Sequence, residues 1–190
     1  MEPAAEKQTA PGLLPEDMCP ENTCFFTGHR FLSEKQLRSM YTPLVRSILQ
    51  MAEDGYKYFL DGGAVGFDLL AARTVLLLRQ DFQKDIRLVL ALPCRDQTAL
   101  WKPERKNGLE NIRRYHEIKA QAQAVVYVTD FYTDGCMKER NRFMADHSTR
   151  CIAYWNGSAR GGTAQTVRMA EQAGIPVCNV YPTENAKDTE

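Results

Sequence analysis

Short apolar runs alternate with longer stretches of helical periodicity between residues 23 and 181. A run of about four to eight apolar or β-branched residues bounded by turn residues predicts a strand. Apolar residues at intervals of three or four predict one face of an amphipathic helix. The pattern therefore predicts six strands and five helices that follow one another along the chain.

The predicted strands and helices alternate from one end of this region to the other. Strands are predicted at Cys24–Phe26, Tyr56–Leu60, Ile86–Leu92, Ala124–Val128, Cys151–Trp155 and Val177–Val180, and helices at 34–54, 67–82, 109–122, 136–147 and 163–173. Such alternation indicates βαβ units. It predicts a single Rossmann-like α/β domain in which helices cover both faces of a mostly parallel sheet.

The first predicted helix has a clear start signal and one irregularity. Ser33 suits the N-cap, Gln36 suits the capping-box position, and Gly55 marks the end. Pro43 lies inside the apolar pattern. Because proline has no backbone N–H and clashes with the preceding turn, a kink or a break is predicted there.

The two ends of the chain lack this periodicity. Residues 1–22 contain four prolines among polar residues and show no periodicity, and residues 182–190 are similarly polar. Such composition predicts mobile tails. The expected organisation is a flexible N-terminal tail at 1–22, one domain at 23–181 and a flexible C-terminal tail at 182–190.

The charge of the chain argues against a nucleic-acid partner. Its 24 basic residues balance 24 acidic ones, whereas proteins that hold a nucleic-acid backbone usually show a basic excess or stripe. A local basic cluster is formed by Lys102, Arg105, Lys106, Arg113 and Arg114. We interpret this cluster as a solvated helix face.

Composition also bears on compartment and metal content. No apolar stretch reaches the roughly 18–20 residues that span a bilayer, and the N-terminus lacks a signal-peptide pattern, so no membrane partner and a cytoplasmic location are expected. The six cysteines show no C-x-x-C pairing or zinc spacing, so no metal site is predicted. Cys24, Cys151 and Cys178 fall in predicted strands, where a free thiol behaves as a small buried hydrophobe.

Three short glycine-containing loops each follow a predicted strand and open a predicted helix. Glycine lets the backbone approach a ligand closely, and the N–H groups and dipole at a helix start favour negative charge. Three such loops in one αβ repeat indicate a ligand that contains phosphate. They are Thr27-Gly28-His29-Arg30, the segment from Asp61 to Asp68 with Gly62, Gly63, Ala64 and Gly66, and Arg160-Gly161-Gly162-Thr163.

These loops are expected to converge. In an open parallel sheet the carboxyl ends of all strands lie at one edge, and ligands bind there where the strand order reverses. The sequence has no G-x-G-x-x-G after the first strand and no G-x-x-x-x-G-K-[ST], so it lacks the motifs of ordinary NAD binding and P-loop ATP chemistry.

The order and spacing of four motifs resemble the SLOG superfamily, in particular its YpsA-like branch. The resemblance covers roughly residues 22–181. It implies a Rossmann-like core and a pocket for a nucleotide or a nucleotide derivative such as an ADP-ribose-like molecule. The motifs are Thr27-Gly28-His29-Arg30, Asp61-Gly62-Gly63-Ala64-x-Gly66-x-Asp68, Asn141-Arg142-Phe143-Met144-Ala145-Asp146 and Gly161-Gly162-Thr163-Ala164.

The resemblance also implies roles for individual positions. Phosphate would be held by Gly62, Gly63 and Ala64 and by Gly161, Gly162 and Thr163, with Gly28 and Arg30 beside them. Asn141 and Asp146 would face the base or ribose. They lie five residues apart and do not share a helix face well, so at most one is expected to touch the ligand.

One departure bears on activity. The LOG phosphoribohydrolases of this superfamily carry P-G-G-x-G-T-x-x-E with a glutamate at the glycosidic bond, whereas Arg168 stands at that place here. Glycosidic cleavage generally needs a carboxylate. No aspartate occupies the matching position, so a catalytic residue is not assigned; the aspartates expected near the edge are Asp61, Asp68, Asp130, Asp134 and Asp146.

Several of these side chains have two interpretations. His29 suits either acid–base work or a simple hydrogen bond to backbone or phosphate. Arg30 suits either a phosphate or an ion pair with Asp61 or Asp68. Asp68 suits either a helix cap or ligand contact. Trp101 is the strongest candidate for stacking on a base.

The sequence therefore predicts a nucleotide-binding protein that acts as a sensor or regulatory module. The expected partner is a small-molecule nucleotide, with no resident cofactor and with Mg²⁺ only if the ligand carries it. Two alternatives remain: a LOG-type phosphoribohydrolase acting on a nucleoside monophosphate, and a DNA-processing protein like DprA. Related SLOG proteins often form dimers, so a homodimer is a candidate assembly and the oligomeric state is left open.

Overall fold

Six strands and five α-helices alternate along the part of the chain that the structure describes, residues 13–102 and 107–182 of a computed structural model. The predicted alternation is confirmed, and most element ends fall within two residues of their predicted positions. The elements are β1 (Thr23–Gly28), α1 (Glu34–Glu53), β2 (Tyr58–Asp61), α2 (Phe67–Asp81), β3 (Arg87–Leu92), α3 (Gly108–Gln121), β4 (Ala124–Tyr127), α4 (Cys136–Asp146), β5 (Arg150–Tyr154), α5 (Gly162–Gln172) and β6 (Val177–Asn179).

The strands form one parallel sheet with the order β4-β3-β2-β1-β5-β6. Phe25 of β1 is paired with Leu60 of β2 on one side and with Cys151 of β5 on the other. All five strand pairs are parallel. This topology confirms the Rossmann-like α/β fold and makes β1 and β2 the centre of the sheet.

Successive residues of each strand point to opposite faces, which divides the core into two layers. Phe26 and Phe59 stack with ring centroids 5.7 Å apart on the face covered by α1, α2 and α3. Phe25 and Leu60 lie on the other face with side chains of α4 and α5. Strands buried on both faces explain the near-continuous apolar runs in the sequence.

Helix α1 begins as predicted and continues through its proline. The Ser33 side chain accepts from the Gln36 backbone N–H, and the Gln36 side chain accepts from the Ser33 N–H at 2.9 Å. The break considered at Pro43 does not occur. Met40, Leu44 and Ile48 are fully buried on either side of it, and their packing holds the helix together despite the missing N–H.

The described part of the predicted N-terminal tail, residues 13–22, lies against the domain. Asp17 accepts hydrogen bonds from Lys57 Nζ at 2.7 Å and from the Tyr58 hydroxyl. The bond from Lys57, followed by that from Tyr58, lowers the pKa of Asp17 to about 2. Leu14 and Met18 pack beside the core layer under α4 and α5. Residues 1–12 and 183–190 of the predicted tails lie outside the described residues.

The cysteine prediction is right at two positions and wrong at one. Cys24 and Cys151 are buried in β1 and β5, whereas Cys178 is exposed because β6 is an edge strand. Burial raises the pKa of both inner thiols. In the described ranges, no helix combines the length and apolar character needed to cross a bilayer.

Replacing Pro43 with alanine should stabilise the protein. Alanine is the better helix former, and its backbone N–H can bond within α1. Proline also restricts the unfolded chain, and losing that restriction offsets part of the gain. The free energy of unfolding should therefore increase by about 2 kcal/mol. Urea unfolding of Pro43→Ala measures it. Thr42→Ala, an exposed neighbour, is the control and should shift the midpoint little. An unchanged midpoint in Pro43→Ala would contradict this account.

Candidate functional site

The strand order places a crevice at the carboxyl ends of β1 and β5. The chain leaves β1 toward β2 and leaves β5 toward β6, in opposite directions across the sheet. Neighbouring strands with opposite exits form the topological switch point where open α/β sheets bind ligands. The loops after β1, β2 and β5 therefore meet at one edge, as predicted.

The loop after β1 lies directly against the start of α2. The Phe67 N–H donates to the His29 carbonyl at 3.1 Å. Gly66 has φ +90°, and a Cβ there would overlap the carbonyl oxygens of His29 and Arg30. Gly28 also has no room for a Cβ, because the Phe67 ring fills that space. Two of the predicted glycines thus serve close packing between two loops of the site.

The loop after β2 is held by two aspartates that are 0% and 5% exposed. Asp61 Oδ1 accepts from the Gly63 N–H at 2.6 Å, and Asp68 Oδ2 accepts from the Ala64 N–H at 3.4 Å. Two of the amides predicted for phosphate therefore have partners within the loop. Asp68 lies in the first turn of α2, where a negative charge suits the helix dipole, but its bond is to the loop and it does not cap an N–H of the helix.

Arg140 of α4 carries the positive charge that faces this loop. Its guanidinium donates to the Gly62 carbonyl and lies 4.0 Å from Asp68 Oδ2. Its Nε donates to Asn141 Oδ1 at 2.8 Å. A Cβ at position 62 would overlap the guanidinium, so Gly62 is required by Arg140. The residue is 5% exposed, which makes it a buried cation between β2 and α4.

Burial governs the ionisation of this cluster. Desolvation raises the pKa of Asp68 to about 6 against the opposing effect of Arg140. Desolvation, followed by the charge of Asp68, raises the pKa of Asp61 well above its ordinary value. Burial likewise lowers the pKa of Arg140. Asp61 Oδ2 has no hydrogen-bond partner among the described residues. Two carboxylates and one guanidinium therefore share a site that favours at most two charges.

Asn141 extends the network to the loop after β5. Its Nδ2 donates to Thr166 Oγ1 at 2.8 Å, and that hydroxyl donates to the Gly162 carbonyl at 2.9 Å. Because Asn141 Oδ1 accepts from Arg140, both the oxygen and the nitrogen of the Asn141 side-chain amide already have hydrogen-bond partners. It ties the second and third glycine loops together through α4 and α5.

The third loop is the most open of the three. Gly161 and Gly162 are exposed, with nothing near the place of a Cβ, while Thr163 is buried at the start of α5. Gly161 has φ +102°, a conformation that requires glycine. Arg168, at the place of the expected glutamate, donates to the Ala159 carbonyl at 2.8 Å. This arginine supports the loop that precedes α5.

A cavity of about 300 Å³ lies on the opposite side of the second loop. Gln97 forms part of its wall; it is 2% exposed and donates from Nε2 to the Gly63 carbonyl at 2.8 Å. This bond fixes the orientation of the amide, because an oxygen could not bond to that carbonyl. Gln97 Oε1 has no partner among the described residues. The cavity is lined by Arg30, Phe31, Ala64, Val65, Gln97, Trp101, Lys102, Gly108, Asn111 and Met137.

Aromatic and basic groups surround this buried acceptor. Trp101 packs edge-on against Tyr115 with ring centroids 5.2 Å apart, which fixes its indole at the cavity wall. Arg30 is exposed and lies 3.9 Å from the Met137 sulfur; it forms no ion pair within 4 Å in the described part of the chain. The structure therefore does not show the ion pair of Arg30 with Asp61 or Asp68 that the sequence analysis considered.

The remaining predicted residues divide between the site and the opposite edge. His29 Nε2 accepts from the Asn156 N–H at 3.2 Å, in agreement with its hydrogen-bonding interpretation. Thr27 is buried at the end of β1. Asp146 is exposed at the last turn of α4, which ends beside the start of β1. The structure does not bring Asp146 to the other residues, because α4 runs away from the carboxyl edge.

Two central residues were missed from the sequence. Arg140 lies four residues from both Cys136 and Met144, and this spacing places all three on the inner face of α4. This spacing is the signal in the sequence that Arg140 faces inward. It was missed because a charged residue is normally expected on the polar face of a helix. Gln97 lies in a short 3-10 turn whose sequence carries no comparable signal. Within the described residues, no group of three or more His, Cys, Asp or Glu is placed to hold a metal.

The fold defines a Rossmann-like α/β protein whose glycine loops lie at the carboxyl edge of its sheet, with the Gln97 cavity beside the loop after β2. The family model YpsA, described as the YspA SLOG family, matches residues 30–179. The chain therefore belongs to this SLOG family, which confirms the resemblance seen in its motifs. Membership supports a nucleotide-related function in general terms.

Bacterial relatives match most of the same region. A UPF0398 protein of Bacillus cereus is 27% identical over 134 residues, covering 69% of this chain and 68% of the relative. A UPF0398 protein of Bacillus pumilus is 24% identical over 140 residues, covering 73% and 72%. The SPbeta prophage-derived protein YoqJ of Bacillus subtilis is 27% identical over 142 residues, covering 70% and 81%.

Removing the buried guanidinium should destabilise the fold. Arg140→Ala leaves two buried carboxyl groups without their cation, a change that costs about 3–5 kcal/mol for a broken buried pair. Chemical denaturation measures the loss. Arg142→Ala on the same helix is the matched control, since Arg142 is exposed, and its loss should be below about 0.5 kcal/mol. Equal effects at the two positions would refute the role of Arg140.

Stability should fall as pH rises through the range in which Asp68 ionises. Its folded-state pKa of about 6 exceeds the ordinary 3.8, so the folded protein binds the extra proton between these values. The contribution of that proton is therefore lost as pH rises from about 4 to about 6. Asp68→Asn should flatten the slope in unfolding experiments across this range. Asp81→Asn, an exposed change on the same helix, should retain it; a slope independent of Asp68 would argue against the assignment.

Proposed function

We propose that this protein binds a nucleotide or nucleotide derivative in the cavity bounded by Gln97, Trp101 and Arg30, and acts as a sensor or regulatory module. The proposal rests on the side-chain carbonyl oxygen of Gln97, which is buried, fixed in orientation and without a hydrogen-bond partner among the described residues. A buried acceptor without a donor carries a desolvation cost. Because this oxygen is buried, a ligand with an N–H group removes that cost only if the cavity wall at Gln97 gives way to it on binding.

The surroundings of Gln97 suit the parts of a nucleotide. The indole of Trp101, held by Tyr115, offers an aromatic surface for a base, and base–aromatic stacking contributes about 1–3 kcal/mol. The exocyclic amine of an adenine or cytosine is a suitable donor to Gln97 Oε1. A volume of about 300 Å³ is at the lower end of the range of small-molecule sites.

Basic side chains at the same cavity suit the phosphates of a nucleotide. Arg30 and Lys102 are exposed and line the same cavity, so both can approach an anionic group from solvent. The N-terminus of α2 begins beside Arg30 and adds a favourable dipole. In this proposal the third loop at Gly161–Thr163 remains a candidate phosphate contact. Mg²⁺ would enter only with the ligand.

Binding is favoured over hydrolysis by the state of the acidic groups. Asp61 and Asp68 are buried and engaged with loop amides, and Asp68 lies beside Arg140. Neither is free to activate water, and Arg168 occupies the place of the LOG glutamate. These contacts support a binding role for the cluster, in which it shapes the second loop.

Single-strand DNA is a weaker candidate ligand. Arg113 and Arg114 of the basic cluster both pair with Glu110, at 3.0 and 2.7 Å. Arg113 pairs with Glu117 as well. Part of their charge is therefore compensated within α3, as the interpretation of a solvated helix face expects. Arg105 and Lys106 of that cluster lie outside the described residues.

A thermal-shift panel of AMP, ATP, NAD, ADP-ribose, cyclic nucleotides and a short oligonucleotide tests the proposal, because a ligand of the folded state raises the midpoint. The affinity of the best ligand is then measured by calorimetry. Trp101→Ala should weaken it roughly 5- to 150-fold through lost stacking. Phe82→Ala, an exposed aromatic at the end of α2, is the control and should bind as wild type.

A further variant separates the cavity from the third loop. Gly162→Asp places a carboxylate at the open start of α5 and should weaken a phosphate-bearing ligand at least tenfold if that loop holds phosphate. An unaffected Gly162→Asp together with a weakened Trp101→Ala would restrict the site to the Gln97 cavity. No midpoint shift with any nucleotide would overturn the proposed function.

A further inference from the structure

A second, larger cavity adjoins the proposed nucleotide site. Its volume is about 660 Å³, and it lies between the start of α1 and the outer faces of α2 and α3. Arg30, Phe31 and Asn111 line both cavities, so the two adjoin at these side chains. A mononucleotide in the first cavity would leave the second one empty.

The lining of the second cavity has a definite chemistry. Its walls are apolar over most of their extent, formed by Leu32, Leu37, Leu69, Leu70 and Ile118. The ring of Phe31 is 80% exposed at the junction. Here the ring borders two cavities. Apolar walls with one accessible ring suit the faces of a planar aromatic group, which can bury more apolar area there than a bare sugar.

Cations surround this apolar volume. Arg30 lies at the junction, and Arg73 and Arg114 are exposed at the rim of the second cavity. Arg114 donates to Glu110 at 2.7 Å, which leaves part of its guanidinium available. Guanidinium groups bind phosphate and also stack on aromatic rings. The polar side chains of Ser33, Glu34, Asn107 and Asn111 can meet the edge of a base.

From this arrangement we infer that the ligand is a dinucleotide: one base in the Gln97 cavity, a two-phosphate bridge at Arg30, and a second base in the cavity between α1, α2 and α3. The inference rests on the proposed nucleotide site and names the class of ligand. Residues that line both cavities place the bridge between the two halves, and the leucine and isoleucine walls of the second cavity favour a base over a sugar.

Calorimetry with three probes tests it: ADP, ADP-ribose and diadenosine pyrophosphate, in which two adenosines share a two-phosphate bridge. We expect the dinucleotide to bind at least tenfold more tightly than either of the others, since only it can fill the second cavity with a base. If ADP-ribose binds as tightly as the dinucleotide, the inference is overturned and the nucleotide site stands. If none of the three binds, the proposed function fails along with it.

Variants locate the second base. Leu37→Trp fills part of the second cavity from an exposed position on α1, and Arg73→Ala removes a cation at its rim. Each should lower the ratio of dinucleotide affinity to ADP affinity at least threefold, toward one. Tyr41→Trp, one turn further along α1 and outside the cavity, is the matched control and should keep the wild-type ratio. A ratio unchanged by both variants would place the second base elsewhere and overturn the inference.

Discussion

The buried guanidinium of Arg140 is the interaction on which the geometry of the site depends. It reaches from α4 to the Gly62 carbonyl, lies beside Asp68, and positions Asn141, which in turn bonds Thr166 of α5. A cation removed from water is tolerated only where opposite charge and hydrogen bonds compensate its desolvation. Asp61 and Asp68 provide that compensation, so the three groups require one another. The loop after β2 therefore has one arrangement, with Gly63 fixed between Asp61 and Gln97.

Fixing Gly63 has a direct consequence for binding. Its N–H donates to Asp61, and its carbonyl accepts from Gln97, so the buried ionic cluster on one side of the loop sets the amide that faces the cavity on the other. The unpartnered Gln97 oxygen is thereby held in place before any ligand arrives. Preorganised polar groups of this kind bind with less ordering cost. The same cluster keeps the aspartates away from hydrolytic roles, which is consistent with a protein that recognises its ligand.

Much of the fold could be predicted because its signals are local. The apolar runs gave strands β1 to β6 near their observed positions, and Ser33 with Gln36 marked the start of α1. Pro43 shows where local reasoning fails, since the buried side chains of Met40, Leu44 and Ile48 outweigh a missing hydrogen bond. Among site residues, the glycine loops were placed correctly at the carboxyl edge. Asp146 was not, because its motif gave its position in sequence but not the direction in which α4 runs.

The sequence by itself determined the alternating α/β fold, the parallel sheet and the edge at which the glycine loops meet, because periodicity and turn residues act over a few positions. Only the tertiary structure decided how those loops are used. It gave Gly62 and Gly66 steric roles beside Arg140 and the His29–Arg30 backbone, made Asn141 a link between α4 and α5, buried Gln97 in the wall of one cavity and placed Phe31 at the border of two. These roles depend on contacts between residues 25 to 78 positions apart, as from Asn141 to Thr166 and from Gly62 to Arg140. Burial and charge compensation between residues so far apart in the sequence depend on how the helices and strands pack. No local sequence pattern contains that information.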